Sequence, residues 1–359
     1  MGKKILYVAS NMQHVNNFHL DYISALRSEG HDVSVMANGD GADFNIPFTK
    51  KFFSSENRRA RKMIREIILR EGFDAILLNT TLAAFHVRLA LPRKNRPRVV
   101  NFVHGYLFSS DVGLIKRLVL IACECITAPR TDSVIVMNRY DENAARRFRL
   151  CRTDVHFSLG MGASPRKLMS GRVSVRDEYG LHGKFMLLFV GELSARKNQE
   201  LLIRSMPRIL ARIPNACLVL VGTGDKSDEF SSIAASLGIS DKIILAGSRR
   251  DAGDVMRECD LYVSAATIEG MPFNVIEAMA ERCTVLASRI KGHVDIIEDG
   301  KDGFLFSLGN TDELVDRITE IKEGTASLDP ELVYNKYLKY SKHNVFDDTL
   351  GIIKKSLNL

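Results

Sequence analysis

The segment LYVSAATIEGMPFNVIEAMAERC (residues 261–283) joins a short apolar run to a helix-forming run through a loop that contains a glycine and a proline. A strand closing at Ala265 and a helix through NVIEAMAERC, with Ile276 and Ala280 four apart, make one half of a βαβ unit. Asn274 is placed to cap that helix, and Gly270 and Pro272 tighten the turn before it. Glu269 then falls in the loop and Glu277 in the first helical turn. An anion favours the N–H groups of such a helix start but is repelled by carboxylates. The two glutamates are therefore expected to accept hydrogen bonds from hydroxyls that flank a phosphate. A ligand with a central diphosphate and polyols on both sides, such as a nucleotide sugar, meets both demands. The plainer alternative leaves Glu277 as an acid that favours the helix dipole.

The same alternation runs outward from this segment. KKILYVAS, HDVSVMA, DAILLN, RVVNFVHG and DSVIVMN read as strands in the first half, and KFMLLFVG, ACLVLVG, KIILAG, LYVSA, TVLAS and GFLFS in the second, with helical patterns between them. Strands that are apolar throughout are buried on both faces, so the fold class is α/β with two parallel, helix-covered sheets. The Gly-, Ser- and Arg-rich stretch 159–183 holds the linker, which places an N-terminal Rossmann-like domain at 1–168 and a C-terminal one at 169–343. Open parallel sheets bind ligands at the carboxyl ends of their strands, so the site is expected there, in a cleft between the halves.

The chain has 359 residues and a formal charge of +7. Residues 1–170 carry 26 Lys and Arg against 15 Asp and Glu, an excess of +11, whereas residues 171–359 carry 24 against 28. The basic half is expected to meet an anionic partner, a membrane surface, a phosphorylated substrate or nucleic acid. Nucleic acid ranks last, because no binding motif or aromatic platform accompanies the charge. No apolar run approaches the roughly 20 residues that cross a bilayer, and MGKKILYVAS reads as a first strand. The six cysteines lack the paired spacing of a zinc site and are expected to be reduced thiols of a cytoplasmic protein.

Further candidates stand at other strand ends. Arg196 and Lys197 follow KFMLLFVG just before a helix that starts near Asn198, an arrangement suited to a diphosphate or equally to two solvated charges. Gly222 and Gly224 in VGTGDK permit close backbone approach, though a lone G-x-G also serves as a plain turn. Arg249 in AGSRRD could cover a base or a phosphate. His104, in VHGYLF, ends a buried strand, where it could bond a sugar hydroxyl or phosphate or be a satisfied structural histidine. ASNMQHVNNFHL adds His14, Asn16, Asn17 and His19 as lining for an acceptor pocket. In the helix at 54–72, Met63, Ile64, Ile67 and Ile68 form an apolar stripe. Arg58, Arg61, Lys62 and Arg65 form either a solvated face or a patch for anionic lipid.

Taken together, VGELSARKNQELL, VGTGDK, GSRRDAGDVMRECDLYVSAATIEGMPFNVIEAMA and SRIKGHVDIIEDGKDGFLF resemble the C-terminal domain of the retaining glycosyltransferases of family 4, which have the GT-B fold. The N-terminal half is similar through NFVHGYLF, in the version found in bacterial transferases that build capsular and other surface polysaccharides. The resemblance implies a nucleotide-sugar donor, most plausibly UDP-linked, bound by the C-terminal domain, and a glycan or lipid-linked acceptor on the N-terminal side. A C-terminal helix at 344–359 would return to that side. Arg196 and Lys197 would hold the diphosphate, Glu277 the ribose and Glu269 the transferred sugar. The run Gly270, Met271, Pro272, Phe273, Asn274 and Val275 would lie along sugar and phosphates, and Arg249 would border the base. His104 would sit near the anomeric centre and the sugar's 6-position. Glu192 stands where many members carry Arg, so either Arg196 supplies the guanidinium or Lys197 and backbone act alone. With no Asp-x-Asp in the chain, neither a metal nor another cofactor is expected. An epimerase of the same architecture and a non-catalytic membrane scaffold are the competing readings, and the enzyme is expected in the cytoplasm at the inner face of the membrane.

Overall fold

The computed structural model describes residues 2–49, 54–109, 112–165, 169 and 171–359. The chain divides into two compact units, one comprising residues 1–161 with 345–359 and the other 162–344. Residues 166–168 and 170, within the expected linker, lie outside the described residues.

The first unit is built on seven parallel strands: β1 (Lys4–Asn11), β2 (Asp32–Asn38), β3 (Phe44–Asn45), β4 (Ala75–Leu78), β5 (Arg98–Val103), β6 (Ser133–Val136) and β7 (Val155–Phe157). Their order is β3-β2-β1-β4-β5-β6-β7. Five of these are the apolar runs of the sequence. β3 and β7 are additions, two and three residues long at the two sheet edges, and too short to carry a period of their own. The C-terminal segment belongs to this unit by specific bonds. Ser158 and Thr349 hydroxyls lie 2.8 Å apart, Thr349 donates to the Gly160 carbonyl, and Lys354 pairs with Glu29.

The second unit has six parallel strands: β8 (Phe185–Val190), β9 (Ala216–Val221), β10 (Ile243–Gly247), β11 (Leu261–Ser264), β12 (Val285–Ser288) and β13 (Phe304–Phe306), in the order β10-β9-β8-β11-β12-β13. The strand order reverses between β8 and β11, the topological switch point of this sheet. Ala163 belongs here because it exchanges backbone bonds with Tyr340 and Lys342, at 2.9 and 2.8 Å. Arg172 reinforces the placement through Asp251, Asp254 and Glu258.

The basic helix Ser55–Glu71 begins at Ser54, whose hydroxyl accepts from the Asn57 N–H, and stops at Gly72 in the left-handed conformation. Its core face is Ala60, Ile64 and Ile68. Met63 departs from the expected apolar stripe and is exposed, because it lies about a third of a turn away from Ile64 and Ile68. Arg58, Lys62 and Arg65 are exposed and Arg61 is half-buried.

A different helix, Leu114–Thr127, is fixed by a buried ion pair. Glu124 takes a forked contact from Arg88 at 3.0 and 3.1 Å, and Arg88, fully buried in helix Thr81–Ala90, also donates to the Ala84 carbonyl. Replacing Glu124 by Ala leaves that guanidinium buried without its counter-charge. The change should cost about 3–5 kcal/mol, read as a lower urea midpoint; an unshifted midpoint would show that the pair is not desolvated. Arg88→Met with Glu124→Leu should cost much less, because both charges leave together.

Candidate active site

In the second unit the loops after β8 and β11 are tied together by main chain and side chain. Thr267 N–H donates to the Arg196 carbonyl at 2.9 Å, and Asn198 Nδ2 donates to the Ala265 carbonyl at 3.1 Å. Asn198 adopts a left-handed conformation (φ 55°) as it caps helix Gln199–Arg212, a geometry asparagine tolerates better than most residues. This tie brings Arg196, Lys197 and Glu269 together. Glu269 is 6% exposed, and one carboxylate oxygen accepts from Lys197 Nζ at 2.6 Å while the other accepts from Arg196 Nη1 at 3.2 Å. Burial pushes the Glu269 pKa up, but Lys197 and Arg196 more than offset this, and the carboxyl lies below its ordinary range. Glu269 is thus a buried, ionised group. Glu192 is exposed, and its carboxylate stands 3.9 Å from Arg196 Nη2.

The turn that follows differs from the sequence expectation in one respect. The helix begins at Phe273, with Pro272 as its cap residue, and Asn274 lies inside it. Asn274 is drawn inward because its Nδ2 donates to the Val190 carbonyl (3.2 Å) and to the buried Tyr262 hydroxyl (2.9 Å), pinning the helix start to the end of β8. Glu277 therefore sits one turn further on, half-buried, and no acid occupies the first turn. Met271, Pro272 and Val275 are buried, while Gly270 and Phe273 are half-buried.

Three other expected ligands make close contacts within the protein. A Cβ at Gly222 would lie 1.9 Å from the Gly191 carbonyl oxygen, and one at Gly224 2.0 Å from that of Leu193. Both glycines are thus required by the neighbouring loop of the protein itself. Arg249 is held by Asp251 at 2.9 Å on two nitrogens and by Glu178 at 2.7 Å, so its guanidinium is paired with two carboxylates. Conversely, His293 escaped the sequence reading. It is fully buried, with Nδ1 2.7 Å from the Ser288 carbonyl; burial lowers its pKa to about 4, partly opposed by Glu269. The GH pair at 292–293 was the available signal, because a Cβ at Gly292 would meet the Glu269 carbonyl at 3.0 Å.

In the first unit, histidines gather after β1 and β5. The Tyr7 hydroxyl lies 2.7 Å from His19 Nδ1, and His19 Nε2 lies 3.1 Å from His14 Nε2. His14 also bonds the Asn79 backbone. One placement of protons satisfies all three contacts: Tyr7 O–H to His19, His19 Nε2–H to His14, and the other His14 N–H to the Asn79 carbonyl. His104 packs edge-on against His14 at 4.7 Å between ring centres. Its Nε2 is buried with no hydrogen-bond partner among the described residues. Ring nitrogens of His14, His19 and His104 all lie within 4.8 Å of one another, a grouping that an imidazole-bound ion could bridge only if the rings drew closer together. Such an ion would displace the His14–His19 bond. Asn16 and Asn17 are exposed beside them. The large recess lined by Arg65, Leu69, Phe73, Pro92 and Arg96 lies at the amino ends of β4 and β5, away from these histidines.

Comparison with known proteins bears on the family and the fold. The profile of "Glycosyl transferases group 1" matches residues 174–339, and that of "Glycosyltransferase Family 4" matches residues 15–157. The chain belongs to the group 1/family 4 glycosyltransferases, enzymes that use nucleotide-sugar donors, and its two parallel-sheet units are those of the GT-B fold. It is 27% identical over 334 residues to the putative glycosyltransferase EpsD of Bacillus subtilis, covering 89% of this chain and 88% of that one. It is 21% identical over 344 residues to an Escherichia coli UDP-Gal:alpha-D-GlcNAc-diphosphoundecaprenol alpha-1,3-galactosyltransferase, covering 89% and 87%. Among solved structures, Anabaena HepE in complex with UDP and glucose superposes with a TM-score of 0.78 at 19% identity, over 98% of this chain and all of that one.

Burial holds His14 and His293 neutral down to about pH 4, and lowers His19 and His104 well below their ordinary range. The unfolded chain protonates these rings near pH 6.5. Stability is therefore highest above pH 6.5 and falls as the pH drops from 6.5 toward about 4. Calorimetric melting across that window should show a falling Tm; a flat Tm would mean that the rings are charged in the native state.

Proposed function

We propose that the protein transfers a hexose from a UDP-linked donor to an acceptor hydroxyl with retention at the anomeric carbon, in the assembly of a bacterial surface polysaccharide. The observation that carries this reading is the Arg196–Glu269–Lys197 cluster at the strand-order reversal of the second sheet. One of the three N–H groups of Lys197 goes to Glu269, and the Arg196 guanidinium is about half exposed, so both cations keep donor capacity for phosphate oxygens. Glu277, a turn into the helix after β11, is the ribose reader. Glu269 accepts from hydroxyls of the transferred sugar. Arg249, fixed by Asp251 and Glu178, borders the base rather than gripping phosphate.

In the reaction the bond from the anomeric carbon to the diphosphate oxygen breaks while the acceptor oxygen bonds the same face of that carbon. The acceptor proton passes to the departing phosphate oxygen. Lys197, Arg196 and the helix start at 273–275 stabilise the charge that develops on the leaving group, a form of electrostatic catalysis. Both oxygens of Glu269 are engaged by cations, which makes it a poor nucleophile. The unpartnered Nε2 of His104 is suited to a sugar hydroxyl, and His14 and His19 line the acceptor side. The N-terminal unit takes the acceptor and the C-terminal unit the donor. A lipid-linked acceptor is favoured by analogy with the Escherichia coli relative, whose acceptor is diphosphoundecaprenol-linked.

Lys197→Ala should weaken UDP binding by roughly 10- to 100-fold, the worth of one charge-assisted hydrogen bond, measured by titration calorimetry. Unchanged affinity would locate the diphosphate elsewhere. Glu269→Ala should abolish sugar transfer in a donor screen that reads UDP release, with the fold retained by circular dichroism; turnover equal to wild type would remove Glu269 from the site.

A further inference from the structure

Helix Leu114–Thr127 in the first unit is amphipathic with its polarity reversed. Its acid, Glu124, and Thr127 are buried, the former on Arg88, and Leu120 and Ile121 pack on the core around Tyr106 and Phe108. The opposite face is apolar and open to solvent: Leu114 is 69% exposed, Ile115 81%, Leu118 56%, Val119 47% and Ile126 58%. Spacings of one, three, four and seven put these side chains on one stripe, about 18 Å long at 1.5 Å per residue. A soluble surface rarely leaves so many large aliphatic groups together without a covering surface.

The surrounding charge says what covers it. Glu124 is the sole acid between residues 112 and 131, and it points inward. Lys116 and Arg117 lie in the first turns of the helix, and at its far end Arg149 and Arg152 line a hollow with Cys125, Pro129 and Phe148. A second copy docked face to face would set these cations against their own equivalents. An aliphatic stripe rimmed by cations instead matches the boundary between acyl chains and anionic headgroups. No described helix is long and apolar enough to cross a membrane. We infer that helix Leu114–Thr127 lies flat in the surface of an anionic phospholipid bilayer, with Leu114, Ile115, Leu118, Val119 and Ile126 immersed. This is a separate element from the basic helix Ser55–Glu71, whose apolar residues Ala60, Ile64 and Ile68 are already used in the core.

The test is flotation of the full chain with vesicles of phosphatidylcholine containing a minority of phosphatidylglycerol. Wild type should float, and Ile115→Asp with Leu118→Asp should lower the bound fraction by roughly tenfold or more. Both positions are exposed, so the melting temperature and UDP affinity should be unchanged. Replacing Arg58, Lys62 and Arg65 by Ser should leave flotation largely intact. The inference is overturned if the double variant floats like wild type, or if wild type binds UDP but does not float. It is equally overturned if sedimentation shows a wild-type dimer that the double variant dissociates, because the stripe would then be covered by a second copy. UDP binding in the same samples separates any such failure from failure of the donor site.

Discussion

The buried carboxylate of Glu269 is the contact on which the geometry of the candidate site in the second unit rests. An ionised carboxyl at 6% exposure is tolerable only if its charge is answered nearby, and Lys197 and Arg196 answer it from the adjacent loop. The requirement works in both directions. The carboxylate aligns two cations at the end of β8, and they keep it charged despite desolvation. The two loops meet where strand order reverses between β8 and β11, and the backbone bond from Thr267 to Arg196 ties them there. Close glycine contacts then seat the next loop: Gly222 and Gly224 against the residues after β8, and Gly292 against Glu269 itself.

The first unit solves a different problem with neutral groups. His14, His19 and His104 have no carboxylate partner among the contacts described; burial keeps them uncharged, and His14 and His19 satisfy their ring nitrogens with each other, Tyr7 and the Asn79 backbone. A neutral, aligned nitrogen such as His104 Nε2 suits a sugar hydroxyl better than a phosphate, which would prefer a cation. The same unit carries its excess positive charge on its surface, together with a helix whose acid is hidden and whose aliphatic side chains are displayed. Charge and apolar surface are thus separated from the histidines rather than mixed with them.

The parallel α/β class and the two-sheet plan were legible because strands buried along most of their length leave largely apolar runs, and eleven of the thirteen strands of the two sheets match runs read from the sequence. β3 and β7 were not legible, since two or three residues at a sheet edge carry no period. Lys197, Arg196 and Glu269 could be singled out from loops at strand ends, but their mutual contact could not, because 72 residues separate Lys197 from Glu269. His293 and the capping role of Pro272 were missed for related reasons. A buried histidine has no sequence signature apart from its neighbours, and Asn274 looks like a cap until the Tyr262 hydroxyl is placed beside it.

By itself, then, the sequence determined the class of fold, the family and the types of side chain at the strand ends, all of which are local patterns of apolarity, turn chemistry and motif spacing. Tertiary structure alone decided which of those side chains meet. It committed Arg249 to Asp251 and Glu178, assigned Gly222 and Gly224 to backbone packing, drew Asn274 into the core and turned the apolar face of helix Leu114–Thr127 outward. Each outcome depends on partners distant in sequence, because desolvation and charge pairing are properties of the packed neighbourhood and not of the segment.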